Sequence, residues 1–208
     1  MRWQIPRMKT SVRTLLAVQL IVVLLAAWAA DHIHQAHRIR QYRVDAQILA
    51  DIRTLKDAVQ AAEVAVDPLR YERASKQAVD ALSLLIDRGS DAEPALGACI
   101  DAIRAPRRFD VDYSIRDEAT ICLAAIGSDA IPICLGLLKD KEPEVRTCAV
   151  RCLKYLTSAD MQGGLFSRLD KDRAQELVEP LNQAVQVERD EQVAASIKSL
   201  LIELNRDK

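Results

Sequence analysis

Apolar residues recur at helical spacing through most of the second half of the chain, with polar residues between them. Steps of three and four residues place such side chains on one face of a helix. Two segments, 30 residues apart, follow the pattern in register. The later segment places Val145, Ala149, Cys152, Leu153 and Leu156 on its apolar face, and the earlier one places Ile115, Ala119, Leu123 and Ile126 there. Both segments are predicted to be helices that bury one side.

A nearly identical hexapeptide precedes each part of this pattern, GSDAEP at residues 89–94 and GSDAIP at residues 127–132. Proline is well placed in the first turn of a helix, so Pro94 is expected to open a helix that ends near Ile103. Pro132 is expected to open another, with Ile131, Leu135 and Leu138 on one face. Each unit is therefore a pair of antiparallel helices. One pair cannot bury both apolar faces, but stacked pairs can.

Two less regular copies flank these units. The earlier copy shows only its second helix clearly, and the later copy begins at Pro180. Their apolar positions are Ala78, Ala81, Leu82 and Leu85 in the first, and Val193, Ile197 and Leu201 in the last. About four copies fit residues 67–208, with irregular end copies as capping repeats require.

The segment AIPICLGLLKDKEPEVRTCAVRCLKYL, residues 130–156, resembles a short HEAT repeat of the type found in phycobilisome-lyase-like proteins. Asp140 and Arg146 match its turn aspartate and second-helix arginine, and Asp110 and Arg116 match them one copy earlier. The resemblance, over residues 70–205, implies an α-solenoid and a structural role in which the turn carboxylate holds arginines of its own and neighbouring copies. It implies a protein-binding scaffold. The last copy departs from the pattern, with Glu188 and Ala194 at the two places.

Residues 14–30 form an uncharged run of 17 residues. As a helix the run is about 25 Å long, near the lower limit for crossing a bilayer. Basic residues precede it, and Trp28 lies near its far end, where an interface favours tryptophan. A retained anchor is favoured over a cleaved signal peptide, which shares these features.

The predicted fold is therefore all-α: an α-solenoid of about four HEAT-like helix pairs plus one N-terminal transmembrane helix. A basic flank (1–13) precedes the anchor (14–30). A juxtamembrane segment with a long helix (31–66) connects the anchor to the solenoid (67–208).

Charge divides the chain near residue 43. Residues 1–43 carry a net charge of +6 and the remainder −7. An acidic body argues against a nucleic-acid partner, because phosphate binding needs lysine and arginine. The positive-inside rule favours a cytoplasmic N-terminus and a body outside the cytoplasm, at a bacterial inner membrane.

All five cysteines lie in the body, at positions 99, 122, 134, 148 and 152. Their number is odd, and each falls within a helical apolar pattern, so they are expected to pack as small buried apolar groups.

Residues 48–66 have an apolar seam with alternating steps of four and three residues. The segment is expected to be the first helix of the array; the alternative is a stalk that forms a homodimer. The only histidines, His32, His34 and His37, precede it. They favour a polar collar beside the membrane over a metal site.

Two insertions interrupt the copies, around residues 104–111 and 158–175. They contain the only phenylalanines, Phe109 and Phe166. Insertions in repeat arrays often lie on the binding face, so both rings, with Arg107 and Arg108, are candidate partner contacts. The favoured interpretation, however, is that each ring folds back over the groove between copies.

Common catalytic motifs are absent from the sequence, and the body has no histidine for acid–base chemistry. The sequence therefore predicts a non-catalytic, membrane-anchored scaffold for a protein partner, without cofactor or metal. The alternatives are an exported soluble binding protein, and a lyase-type or assembly factor that acts on a partner protein.

Overall fold

Helices account for all the regular structure in the described part of the chain. The structure is a computed structural model that describes residue 28 and residues 43–106, 109, 114–157 and 171–206. The chain divides into two compact units, Met1–Ala46 and Gln47–Lys208. The second unit contains the helix array.

Nine α-helices are described. Helix α1 covers residues 43–64. The others are α2 Pro68–Ile86, α3 Leu96–Arg104, α4 Ile115–Ile126, α5 Ile131–Leu137, α6 Pro143–Thr157, α7 Lys171–Glu176, α8 Val178–Val187 and α9 Glu191–Arg206. Two short 3₁₀ helices, Gly89–Ala95 and Ser128–Ala130, precede α3 and α5.

The repeated hexapeptide lies where one helix ends and the next begins, after α2 in the first copy and after α4 in the second. Its glycines, Gly89 and Gly127, have φ angles of 57° and 96°. Residues with a Cβ rarely adopt such angles, so glycine lets the chain leave the preceding helix here. In the first copy the 3₁₀ helix begins at Gly89 itself and continues to Ala95, whereas in the second it consists of the three residues after Gly127. Pro132 then lies in the first turn of α5, as predicted. Pro94, by contrast, lies inside the 3₁₀ helix, and α3 begins only at Leu96.

Second helices form one continuous layer of the array. Helix α2 contacts α4, α4 contacts α6, and α6 contacts α9. The second helices α4, α6 and α9 also contact the first helices of their own copies, in the pairs α3–α4, α5–α6 and α8–α9. Helix α1 lies beside α3, since residues of both line one groove. The prediction of an all-helical fold built from stacked helix pairs is therefore confirmed.

The core lies between the two layers and is built from equivalent positions of successive copies. All the apolar positions predicted on α4 and α6 are buried. Ala119 and Ala149 occupy the same place in the two helices and are fully buried. Their small side chains allow neighbouring second helices to approach closely, while Leu123 and Leu153 fill the space between the layers.

The predicted apolar face of α5 is partly wrong. The structure buries Cys134, Leu137 and Leu138, whereas Ile131 and Leu135 are only half-buried. Helix α5 has one side against α6 and another facing the gap between first helices, so its apolar residues divide between the two. A similar shift occurs in the last copy, where Leu200 is buried and Leu201 is half-buried.

The seam in residues 48–66 is buried within the chain itself. Ile48, Leu55 and Ala62 are each at most 2% exposed, and only Val66 at the end of the seam lies open to solvent. Because this face is already covered, it supports the first helix of the array and does not support a dimerising stalk.

All five cysteines are free and buried, as expected of apolar packing groups. Hydrogen bonding to the Cys134 thiol, together with burial, raises the pKa of Cys152. A thiol that is slow to ionise is a poor nucleophile. These cysteines therefore contribute to the core.

Among the described residues, no helix combines the length and apolar character needed to cross a membrane. The predicted anchor at 14–30 lies outside the described residues except for Trp28. The basic flank and the three histidines also lie outside them.

Candidate functional site: an arginine ladder and a groove between first helices

Arg146 on α6 connects its own copy with the following one. Its Nε and Nη2 donate to the two carboxylate oxygens of Glu188 at 2.7 and 2.8 Å. Its Nη1 donates to the main-chain carbonyls of Asp140 and Lys141 at 2.8 and 3.0 Å. The side chains of Arg146 and Glu188 are only 12% and 5% exposed. Bidentate geometry away from solvent makes this ion pair stronger than an ordinary surface pair.

Glu188 is fixed at the turn between α8 and α9. Its Oε1 also accepts from the backbone N–H groups of Arg189 and Asp190, both at 2.8 Å. The hydrogen bonds from Arg146, and then those backbone donors, lower the pKa of the Glu188 carboxyl. The same pairing raises the pKa of Arg146. Both groups are therefore charged at neutral pH.

The turn residue Asp140 contacts an arginine other than the one expected. Its carboxylate accepts from Arg104 Nε at 3.0 Å and from the backbone N–H of Glu142 at 3.1 Å. The backbone N–H of Glu142, followed by Arg104, lowers the pKa of Asp140. Arg146 reaches Asp140 only through its main-chain carbonyl. The carboxylate of Asp140 thus bridges α5 to α3 of the preceding copy.

Arg116 on α4 makes the same kinds of contact as Arg146 on α6. It donates to the Ala105 carbonyl at 3.1 Å and to Glu142 at 3.1 Å, and it also pairs with Glu144. Its predicted partner Asp110 lies outside the described residues. In both copies a second-helix arginine binds a carboxylate from the next copy, so the two form a ladder along the array. We call Arg116–Glu142 and Arg146–Glu188 the arginine ladder.

We expect acid to weaken the arginine ladder. Folding lowers the pKa of Glu188, so its carboxylate stabilises the fold fully above its ordinary pKa, and this contribution is lost as pH falls from that value through the lowered pKa of the folded state. The urea midpoint should therefore fall as the pH is lowered from about 5. Glu188→Gln should be less stable at neutral pH and show a smaller fall. Equal falls in the two proteins would contradict a role for Glu188 ionisation.

A groove opens between α5 and α8, the first helices of the last two copies. It encloses about 940 Å³. Apolar side chains line its walls: Pro132, Leu135, Leu138, Pro180, Ala184 and Val187. Four basic and two acidic side chains, together with Gly136 and Gln183, complete the lining. The acidic ones are Asp140 and Glu188, which already pair with Arg104 and Arg146.

The charged residues of α6 outside its buried face are largely paired within the chain. Arg151 pairs with Asp117 on α4, and Lys154 Nζ lies 2.9 Å from Glu203 Oε1 on α9. Glu144 pairs with Arg116. These contacts connect neighbouring second helices. A partner that binds this face would contact acidic and basic side chains that are already paired with each other.

Phe109 lies against the array. Its ring is 5.3 Å from the ring of Tyr71 in an edge-on arrangement, and Tyr71 is buried on α2. This contact favours the fold-back interpretation for Phe109. The other candidate contacts, Arg107, Arg108 and Phe166, lie outside the described residues. Part of the second insertion, from Lys171 onward, is helical as α7.

Sequence reasoning found the arginines of the ladder but missed their acceptors. Glu188 was interpreted as a departure from the pattern, yet its longer side chain and its place in the turn allow it to reach Arg146. The groove gives a weak sequence signal. Its walls come from residues 48 positions apart, such as Leu135 and Gln183, and only the stacking of the helices brings them together.

Within the described ranges, no group of three or more His, Cys, Asp or Glu side chains is arranged to hold a metal ion. The site's chemistry in these ranges is that of ion pairs and apolar contact.

Stacked helix pairs that share one core define a helical repeat protein. Residues 100–200 match a family model described as HEAT repeats. This match covers both members of the arginine ladder and supports the resemblance to the HEAT-repeat family. A comparison with curated proteins finds no match.

Proposed function

We propose that this protein is a membrane-anchored, non-catalytic scaffold that holds a protein partner through its second helices, its inserted loops and the surfaces between copies. The observation that carries the proposal is the continuous layer of second helices, α2, α4, α6 and α9, which share one core. Such an array offers a long surface fixed in position by its own packing. The match to HEAT repeats, which typically mediate protein–protein interaction, supports the same function.

The anchor is the segment 14–30, and the basic residues before it favour a cytoplasmic N-terminus. The acidic array then lies outside the cytoplasm of a bacterium. The support for this placement is the uncharged run and the charge on either side of it.

Photocrosslinking in cells tests the scaffold function. A photoreactive amino acid replaces Glu144 on α6 or Ser199 on α9, both exposed second-helix positions, or the exposed Ser90 in the first turn of the 3₁₀ helix as the matched control. A discrete adduct from the helix positions and none from the turn is expected. If all three positions give the same diffuse products, the scaffold proposal fails.

The same cells test the anchor. We expect a C-terminal tag to fractionate with the membrane and to be digested by protease only after the outer barrier is opened. A membrane-bound tag that survives until lysis contradicts the orientation. A soluble, shortened product contradicts the anchor and supports an exported scaffold.

A further inference from the structure

The groove between α5 and α8 differs from the gap between α3 and α5. That earlier gap is lined by polar residues and crossed by the ion pair between Arg104 and Asp140 at 3.0 Å. The later groove is larger, and six of its fourteen lining residues are apolar side chains. Val187 on that wall is 78% exposed. Within the described ranges, the stacking therefore leaves an apolar surface exposed between α5 and α8.

The charge around this surface is positive. Asp140 and Glu188 are neutralised by Arg104 and Arg146. Lys139, Lys141 and Arg189 also line the groove, and none of them forms an ion pair with any residue in the described ranges. These three cations belong to the two turns at the end of the groove. They stand out because the body as a whole is acidic.

We propose that this groove binds an acidic amphipathic helix of a protein partner. The apolar face of that helix lies against Leu135, Ala184 and Val187, and its carboxylates meet Lys139, Lys141 and Arg189. This proposal rests on the scaffold function and identifies one site and one partner chemistry for it. A helix in an apolar groove is a common recognition mode, and complementary charge at the rim sets specificity and the rate of encounter.

The charge arrangement distinguishes this occupant from others. A neutral apolar ligand gains nothing from three unpaired cations, and a basic helix is repelled by them. The cations lie at one end of the groove beside an apolar wall, so an occupant needs both an apolar face and carboxylates near one end. An acidic amphipathic helix meets both requirements.

A display library tests the inference with the full chain in a neutral detergent. The peptides have about four helical turns. Their apolar face is held constant with leucine, and each flanking position is either glutamate or lysine. Selection is expected to enrich glutamate. The best peptide should bind at least about tenfold more tightly than its lysine counterpart. Its affinity should fall as sodium chloride rises from about 50 to about 300 mM.

Charge reversal locates the binding surface. The double variant Lys139→Glu, Lys141→Glu should weaken binding of the selected peptide at least about tenfold. Lys76→Glu with Lys198→Glu makes the same charge change at exposed positions on α2 and α9 and should change affinity by less than about twofold. Val187→Glu should also weaken binding, and circular dichroism checks that each variant is folded.

Several outcomes overturn the groove proposal: no enrichment, enrichment of lysine, or equal loss of binding in both double variants. Photocrosslinks at Glu144 or Ser199 with no peptide binding in the groove leave the scaffold function standing and remove this site. Failure of both experiments removes the scaffold function as well.

Discussion

Replacing Arg146 with methionine is expected to lower the free energy of unfolding by about 3 kcal/mol, because it leaves the carboxylate of Glu188 buried without its charge partner. The variant loses two hydrogen bonds to Glu188 and two to main-chain carbonyls. Methionine retains much of the apolar stem, so lost packing is a small part of the effect. Urea denaturation followed by circular dichroism measures the change.

Arg151→Met is the matched control for this experiment. It changes the same residue type on the same helix and also removes an ion pair, but Arg151 and its partner Asp117 are 41% and 53% exposed. An exposed pair contributes at most about 1 kcal/mol. If the two variants lose equal stability, burial does not explain the importance of Arg146. Adding Glu188→Met to Arg146→Met should restore part of the loss, since no unpaired charge then remains.

Replacing Leu153 with alanine should cost about 3 kcal/mol, because the side chain is fully buried and its removal leaves a cavity. Leu153 lies on α6, which contacts α4, α5 and α9. The cavity therefore opens at the centre of the array, where little can collapse to fill it. Thermal and urea unfolding, followed by circular dichroism and by the release of the buried cysteine thiols, measure the loss.

Leu84→Ala provides the control, since Leu84 on α2 is 49% exposed. Its loss should be below about 1 kcal/mol. Because each copy is stabilised mainly by its neighbours, weakening α6 is expected to separate the two probes of unfolding in Leu153→Ala. Coincident transitions with unchanged midpoint would show that this position does not support the core.

The periodicity of the second helices could be predicted because one side of each helix faces a single core. Val145, Ala149 and Leu153 repeat at steps of four and are all buried. The buried face of the first helices was harder to predict from the sequence. Helix α5 contacts α6 on one side and borders a groove on another, so Leu135 is apolar without being buried. A pattern of apolar residues does not distinguish a core face from the wall of a groove.

The candidate site was predictable only in part. Arg116 and Arg146 occupy equivalent positions in two copies, and the resemblance to HEAT repeats implies a structural role for both. Their acceptors come from the next copy. Glu142 lies two residues after the turn aspartate and Glu188 lies at its equivalent position, and local sequence does not say whether either carboxylate can reach the arginine. Only the distance between helices shows that Glu142 and Glu188 both do.

The arginine ladder gives the array a direction. Arg116 is held by the copy that follows it, and Arg146 is held by the copy after that. Ala194 occupies the position on α9 that is equivalent to Arg146, so this position cannot form the corresponding ion pair. Unfolding of α8 and α9 removes Glu188 and leaves the guanidinium of Arg146 without its carboxylate partner. Unfolding of α1 and α2 leaves both ion pairs of the arginine ladder intact. We therefore expect fraying to be one-sided, with damage at the carboxyl-terminal end affecting earlier copies more readily than the reverse.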